Sequence, residues 1–219
     1  MKTHPKRKLY LSLVWLAAFL LWTAMVSRVD VQAIGPLGSA VGFASLNRLV
    51  HDLTGVHLFL YTVTDWLSLI PFGFAIGFAV LGLVQWCRRK RLLRVDRSIL
   101  LLGGYYAVVM AVYLFFERYV INYRPILIDG VLEASYPSST TLLVMCVMPT
   151  AALQLRDRIQ RIDCRRWICG TIIAFTAFMV VGRLLSGVHW LTDIVGSVFL
   201  SGGLFSLYRA GLQMCGKEQ

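Results

Sequence analysis

Three short clusters in this chain hold residue types that handle phosphate groups. The first is Glu117-Arg118, followed by Asn122 and Arg124-Pro125. The second is Pro137-Ser138-Ser139-Thr140-Thr141, and the third contains Arg183, Ser186-Gly187, His189 and Thr192-Asp193. Arg124 and Arg183 offer planar forks of N–H donors that match phosphate oxygens. Pro137-Ser138-Ser139 at the start of a helix offers hydroxyls and unsatisfied backbone N–H groups, a ready anion site. His189 and Asp193 stand four residues apart at the start of an apolar run, so they share one face. A carboxylate so placed keeps one ring nitrogen protonated and leaves the other free as nucleophile or base. Two guanidiniums, a helix N-terminus and an oriented imidazole together point to phosphoryl transfer.

The elements that must position these residues are apolar. Of 219 residues, 58% are hydrophobic and 15% charged, with a mean hydropathy of +0.68. Soluble domains carry about 25% charged residues. This composition excludes a water-soluble enzyme, a disordered chain and a repeat solenoid, and predicts one membrane-embedded domain over residues 1–219. A spanning helix needs about 20 mostly apolar residues. Six runs qualify: Leu9 to Val26, Leu58 to Trp86, Ile99 to Phe116, Ser138 to Leu155, Ile168 to Leu185 and Leu191 to Tyr208. The expected fold is therefore an all-α membrane protein with six transmembrane helices. The second run exceeds the length required and contains Pro71, which predicts tilt or a kink. The first is longer than the roughly 7–15-residue apolar stretch of a signal peptide and reads as a retained helix. Between the first two runs, Phe43, Leu46, Leu49, Val50 and Leu53 recur at helical spacing, which predicts a short helix lying in the interface.

Charge sets the expected orientation. The net charge is +11, but the basic residues cluster between apolar runs instead of covering a soluble face, which argues against nucleic acid as a partner. One alternate set of connections holds seventeen Lys and Arg and the other holds five. By the positive-inside rule both termini are cytoplasmic, and the three phosphate-handling clusters face the extracytoplasmic side. Basic residues in 87–98 and 156–167 contact anionic lipid on this reading. Small size and bare termini suggest a bacterial inner membrane. Cys87, Cys146, Cys164, Cys169 and Cys215 show no paired metal spacing. Asp65 reads as a bond between helices or as a proton or ion site, and Asp129 with Glu133 as a solvated acidic rim.

The three clusters also resemble the signature of the type 2 phosphatidic acid phosphatase (PAP2) superfamily, K-x6-R-P, P-S-G-H and S-R-x5-H-x3-D. Arg183-x5-His189-x3-Asp193 fits the third motif without a gap, Arg124-Pro125 fits the end of the first and Pro137-Ser138 the start of the second. The resemblance covers roughly residues 58–208, with 1–57 adding a first helix and an interfacial segment. It implies a PAP2-like bundle that hydrolyses a membrane phospholipid or polyprenyl phosphate and needs no metal or other cofactor. It further implies that His189 attacks phosphorus to give a phosphohistidine, that Asp193 orients it, and that Arg124, Arg183 and Ser138 hold the phosphoryl oxygens.

Three departures from the pattern matter. The first-motif lysine is Glu117, with Arg118 the nearest cation. The second-motif glycine is Ser139. The second-motif histidine, the family's general acid, is Thr140. Threonine cannot donate a proton near neutral pH, and losing a general acid costs about 10²–10⁴-fold in rate. Three explanations stand: an engineered inactivating change, a natural pseudophosphatase that binds lipid phosphate without turnover, or a substrate that needs no acid. A lipid diphosphate fits the last, because it expels a phosphate monoester whose second pKa is about 6. His51 and His57, near the outer face, are the imidazoles available as substitutes.

Overall fold

The computed structural model describes residues 5–216. Its helices are α1 (Pro5–Val26), α2 (Ala44–Thr54), α3 (Leu58–Leu67), α4 (Leu69–Arg89), α5 (Arg97–Arg118), α6 (Ser139–Arg156), α7 (Ile162–Leu185) and α8 (Leu191–Met214). Among the described residues there is no β-strand, only isolated bridges and two short 3-10 turns. The expected all-α architecture is what forms, and the predicted interfacial segment is helical as α2. Lys2 and Lys217, two of the seventeen basic residues expected on the cytoplasmic side, lie outside the described residues.

Five spans are long and apolar enough to cross a membrane: Lys6–Val26, Leu58–Arg89, Arg97–Arg118, Ile162–Leu185 and Leu191–Met214. The sixth expected span is α6, which carries Thr140, Thr141, Thr150 and Gln154 among its buried residues. It packs against α4, α5, α7 and α8. A helix enclosed by other helices meets little lipid, so it tolerates hydroxyls that a lipid-facing helix does not. The second run breaks at Ser68, between α3 and α4. Pro71 lacks an N–H and its ring clashes with the carbonyl four residues back, that of Leu67, where α3 ends.

The helices alternate in direction, so the connections gather at two ends. At one end Gln154 Nε2 donates to Ser98 O at 3.4 Å and to the Tyr208 hydroxyl at 2.6 Å. Gln85 and Asp96 exchange hydrogen bonds across the α4–α5 turn, both 2.9 Å. At the other end the His57 N–H donates to Ser186 O at 3.0 Å. There too, Asn47 Nδ2 donates to Thr192 Oγ1 at 3.0 Å, and the Thr192 N–H donates to Asn47 Oδ1 at 3.2 Å. This second end contains all three phosphate-handling clusters.

The most extensive helix pairing is α1 on α8. Ser12 Oγ donates to Gly203 O at 2.9 Å, which requires the two backbones to approach closely. A methyl group added at Gly203 would sit 2.7 Å from Leu16 Cδ2. Small residues permit such approach where lipid offers no hydrophobic drive. Above this contact, Tyr136 stacks on Phe19 at 6.3 Å and its hydroxyl lies 2.7 Å from Thr23 Oγ1. The α1–α8 pair thereby anchors the segment that leads into α6. Replacing Gly203 with leucine is expected to cost about 1–3 kcal/mol, read as a lowered thermal unfolding midpoint in detergent. An unchanged midpoint would show that the pair does not set this packing.

Candidate active site

The third cluster forms the turn between α7 and α8. Gly187 has φ +70, and a methyl group there would meet Gly55 O at 2.2 Å, so the turn admits no side chain. His51 Nε2 lies 3.2 Å from Gly187 O, and His57 Nε2 lies 2.9 Å from Thr54 O. Both imidazoles, considered from sequence as replacement acids, are thus engaged with backbone carbonyls around this turn. Asp193, in the first turn of α8, is fully buried. Its Oδ2 accepts the Trp190 N–H at 2.9 Å and its Oδ1 accepts Asn122 Nδ2 at 3.2 Å. The Trp190 indole in turn donates to Tyr123 O at 2.8 Å. The carboxylate is held from both sides before any imidazole reaches it. His189 Nδ1 stands 3.7 Å from Asp193 Oδ2, an electrostatic contact longer than a hydrogen bond. Catalytic hydrogen bonds are often long in free enzymes and tighten on binding. His189 Nε2 is buried with no hydrogen-bond partner.

Arg124 and Arg183 reach the same place from different elements. Residues 122–135 double back on themselves through the bridges Tyr123–Ala134 and Ile128–Val131. The Arg124 N–H donates to Glu133 O at 3.0 Å, and the Ser135 N–H to Asn122 O at 2.9 Å. This pairing sets Arg124 Nε 3.0 Å from Glu133 Oε2, off the N–H direction, so the contact is an ion pair. Glu133, expected in a solvated rim, is instead a partner of the site. Arg183 projects from the last turn of α7 and is 1% exposed. Its guanidinium lies 4.9 Å from the centre of the Tyr61 ring, and that of Arg124 lies 5.9 Å from the same ring. Arg183 Nη1 is 3.4 Å from Thr64 Oγ1 and 3.8 Å from Asp65 Oδ1. Asp65 therefore does join two helices, as one of its expected roles required. Arg124 Nη1 and Arg183 Nε are buried without hydrogen-bond partners.

The second cluster divides the space around these groups. Ser139, the first residue of α6, borders two chambers. A small cavity on one side is lined by His189, Glu117, Ser135 and Pro137. A groove of about 360 Å³ on the other is lined by Thr140, Asp65 and Ser68, and by apolar residues including Phe72, Met110 and Val147. Ser138 is fully buried with its hydroxyl donating to Thr141 Oγ1 at 3.1 Å. Arg118 is exposed at the end of α5 and borders neither chamber; Glu117 is the first-motif residue that faces His189.

Sequence reasoning named groups that the structure does bring near one another: His189 with Asp193 and both arginines, with Ser139 bordering both chambers and Thr140 one of them. It missed Tyr61 and Thr64. A signal was present, since Tyr61, Thr64, Asp65 and Ser68 recur at i, i+3, i+4 and i+7 and make a polar stripe on an apolar helix.

Burial, and then the charges of Arg183 and Arg124, push the His189 imidazole well below its usual pKa. The ring is therefore neutral at physiological pH, with a lone pair beside two guanidiniums, each of which keeps at least one buried N–H without a partner. That combination can bind an oxyanion and attack it.

The sequence pattern of the PAP2 superfamily matches residues 98–216. No curated protein sequence matches the chain. Among solved structures, the fold is similar to a transmembrane PAP2-type phosphatidylglycerolphosphate phosphatase from Bacillus subtilis. The TM-score is 0.66 at 15% identity, covering 96% of this chain and 98% of that one.

A histidine whose folded-state pKa is depressed leaves the unfolded chain to bind the proton first. Stability contributed by neutral His189 is accordingly present above about pH 6.5 and is lost as pH falls toward the folded-state pKa. In ¹⁵N-histidine NMR across this range, one imidazole should stay neutral as pH passes below 6.5, and its signal should vanish in His189→Asn. A His189 signal that titrates at its ordinary value would contradict the buried, cation-flanked environment.

Proposed function

The chain belongs to the PAP2 superfamily, and on that premise we propose that it is an integral membrane phosphatase that removes phosphate from a lipid through a phosphohistidine on His189. The observation that carries this reading is the convergence of three buried atoms without partners: His189 Nε2, Arg124 Nη1 and Arg183 Nε. A phosphoryl group seated against the α6 N-terminus satisfies both guanidiniums. It also presents phosphorus to the imidazole.

Chemistry follows from the geometry. His189 Nε2 attacks phosphorus while the guanidiniums hold the equatorial oxygens, whose charge peaks in the transition state. Asp193 accepts the Nδ1–H as the ring becomes cationic, and Asn122 and Trp190 keep that carboxylate from turning away. Water then cleaves the phosphohistidine. The apolar wall of the groove, with Phe72, Met110 and Val147, suits a hydrocarbon tail, which favours a lipid over a soluble ester. Phosphatidic acid, phosphatidylglycerol phosphate and polyprenyl diphosphate share the required chemistry. The excess of Lys and Arg at the opposite end supports an extracytoplasmic site with both termini in the cytoplasm.

The test is phosphate release from a panel of lipid mono- and diphosphates in detergent. The protein should turn over at least one of them, and His189→Ala should lower that rate by about 10³-fold or more. Rapid quenching with ³²P-labelled substrate should trap an acid-labile, base-stable phosphoprotein that His189→Ala does not form. Tight lipid binding with neither release nor a trapped phosphoprotein would make the protein a binder and sink the hydrolase reading.

A further inference from the structure

Attack by His189 leaves an oxygen that needs a proton, and Thr140, at the family's acid position, cannot give it. Attacking and departing atoms lie roughly in line at phosphorus. The donor must therefore stand on the side away from His189. Besides Asp193, which is committed to His189, three carboxylates approach the site, and the two chambers sort them. Glu117 lines the cavity that His189 also lines, which is the attacking side. Glu133 meets Arg124 from the hairpin and borders neither chamber. Asp65 lines the groove onto which Thr140 and Ser139 open, which is the departing side.

Two further features suit Asp65 to proton transfer. Its Oδ1 is 3.8 Å from Nη1 of Arg183, so the carboxylate touches a guanidinium that the phosphate must also engage. Its side chain is 58% exposed toward the groove, so a departing alcohol has access to it, whereas Arg183 is 1% exposed. An incoming phosphate competes with Asp65 for Arg183.

Resting on the phosphatase reading above, we propose that Asp65 is the proton donor and acceptor of the reaction, a carboxyl group on α3 in place of the imidazole missing from position 140. In the first step the His189 Nε2 lone pair forms the N–P bond, the bond from phosphorus to the lipid oxygen breaks, and the Asp65 carboxyl proton passes to that oxygen. The products are the lipid alcohol, or a lipid monophosphate when a diphosphate is cleaved, and phosphohistidine. In the second step Asp65, now a carboxylate, takes a proton from water as the water oxygen bonds to phosphorus. The N–P bond then breaks, inorganic phosphate leaves, and His189 and protonated Asp65 are restored. Thr140 lines the groove beside this path and leaves room for the carboxyl group to act.

The test separates proton transfer from structural support by varying the leaving group. Two substrates of equal chain length are compared, an alkyl phosphate and an alkylated nitrophenyl phosphate whose phenolate departs without help. Asp65→Asn should lower kcat/KM on the alkyl phosphate by about 10²–10⁴-fold and on the aryl phosphate by less than about tenfold. Retained aryl activity also shows that the variant folds. Adding Thr140→His to Asp65→Asn should recover alkyl turnover. Equal losses on both substrates, no loss on either, or leaving-group dependence from Glu117→Gln instead would overturn the assignment with the phosphatase reading intact. No turnover of either substrate by the unaltered protein would overturn both.

Discussion

Two guanidiniums stacked around one tyrosine ring, out of water, are the constraint that organises the end of the bundle that holds the site. Removing a charge from water costs several kcal/mol even after relaxation, and setting a like charge beside it adds to that cost. Tyr61 lies near both cations at once, Glu133 reaches Arg124 from the hairpin, and Asp65 reaches Arg183 from α3. The compensation is partial, because buried N–H groups on both arginines stay without partners. A structure that retains such groups gains most when an anion arrives. On the proposed reading, the affinity for phosphate is built into this deficit.

The rest of this end of the bundle keeps the deficit in register with the imidazole. Asn47 ties α2 to Thr192, Asn122 ties the hairpin to Asp193, and His51 and the α2–α3 junction press on the Gly187 turn. Each of these contacts joins segments more than seventy residues apart in sequence. The site is therefore a tertiary object mounted on helix ends, and its precision depends on α1 packing closely against α8 beneath it.

Much of this was legible before the structure, and the gaps have physical causes. Apolar runs marked the hydrocarbon-crossing part of each helix but not its ends. The seventh helix begins at Ile162 instead of Ile168, because Asp163, Arg165 and Arg166 continue the helix into the polar layer. Pro71 announced tilt or a kink, and the helix is in fact interrupted at Ser68, where the ring's steric reach ends α3. His189 and Asp193 could be paired from sequence because four residues is one helical turn. The pairing of Arg124 with Glu133 depends on a hairpin register that no local pattern announces. Tyr61 was hidden by type, since an aromatic residue near the end of a spanning helix reads as an interfacial anchor.

The hydroxyl-rich character of α6 reaches beyond the site it supports. Segments enter a bilayer one after another, each judged on its own polarity against the surrounding lipid. With Thr140, Thr141, Thr150 and Gln154 in its interior-facing surface, α6 is poorly suited to reside there alone. It finds company in α4 and α5, made before it, and in α7, made after it. The helix that carries Ser139 and Thr140 thus depends on its neighbours for its place, since its hydroxyls are sheltered by other helices and not by lipid.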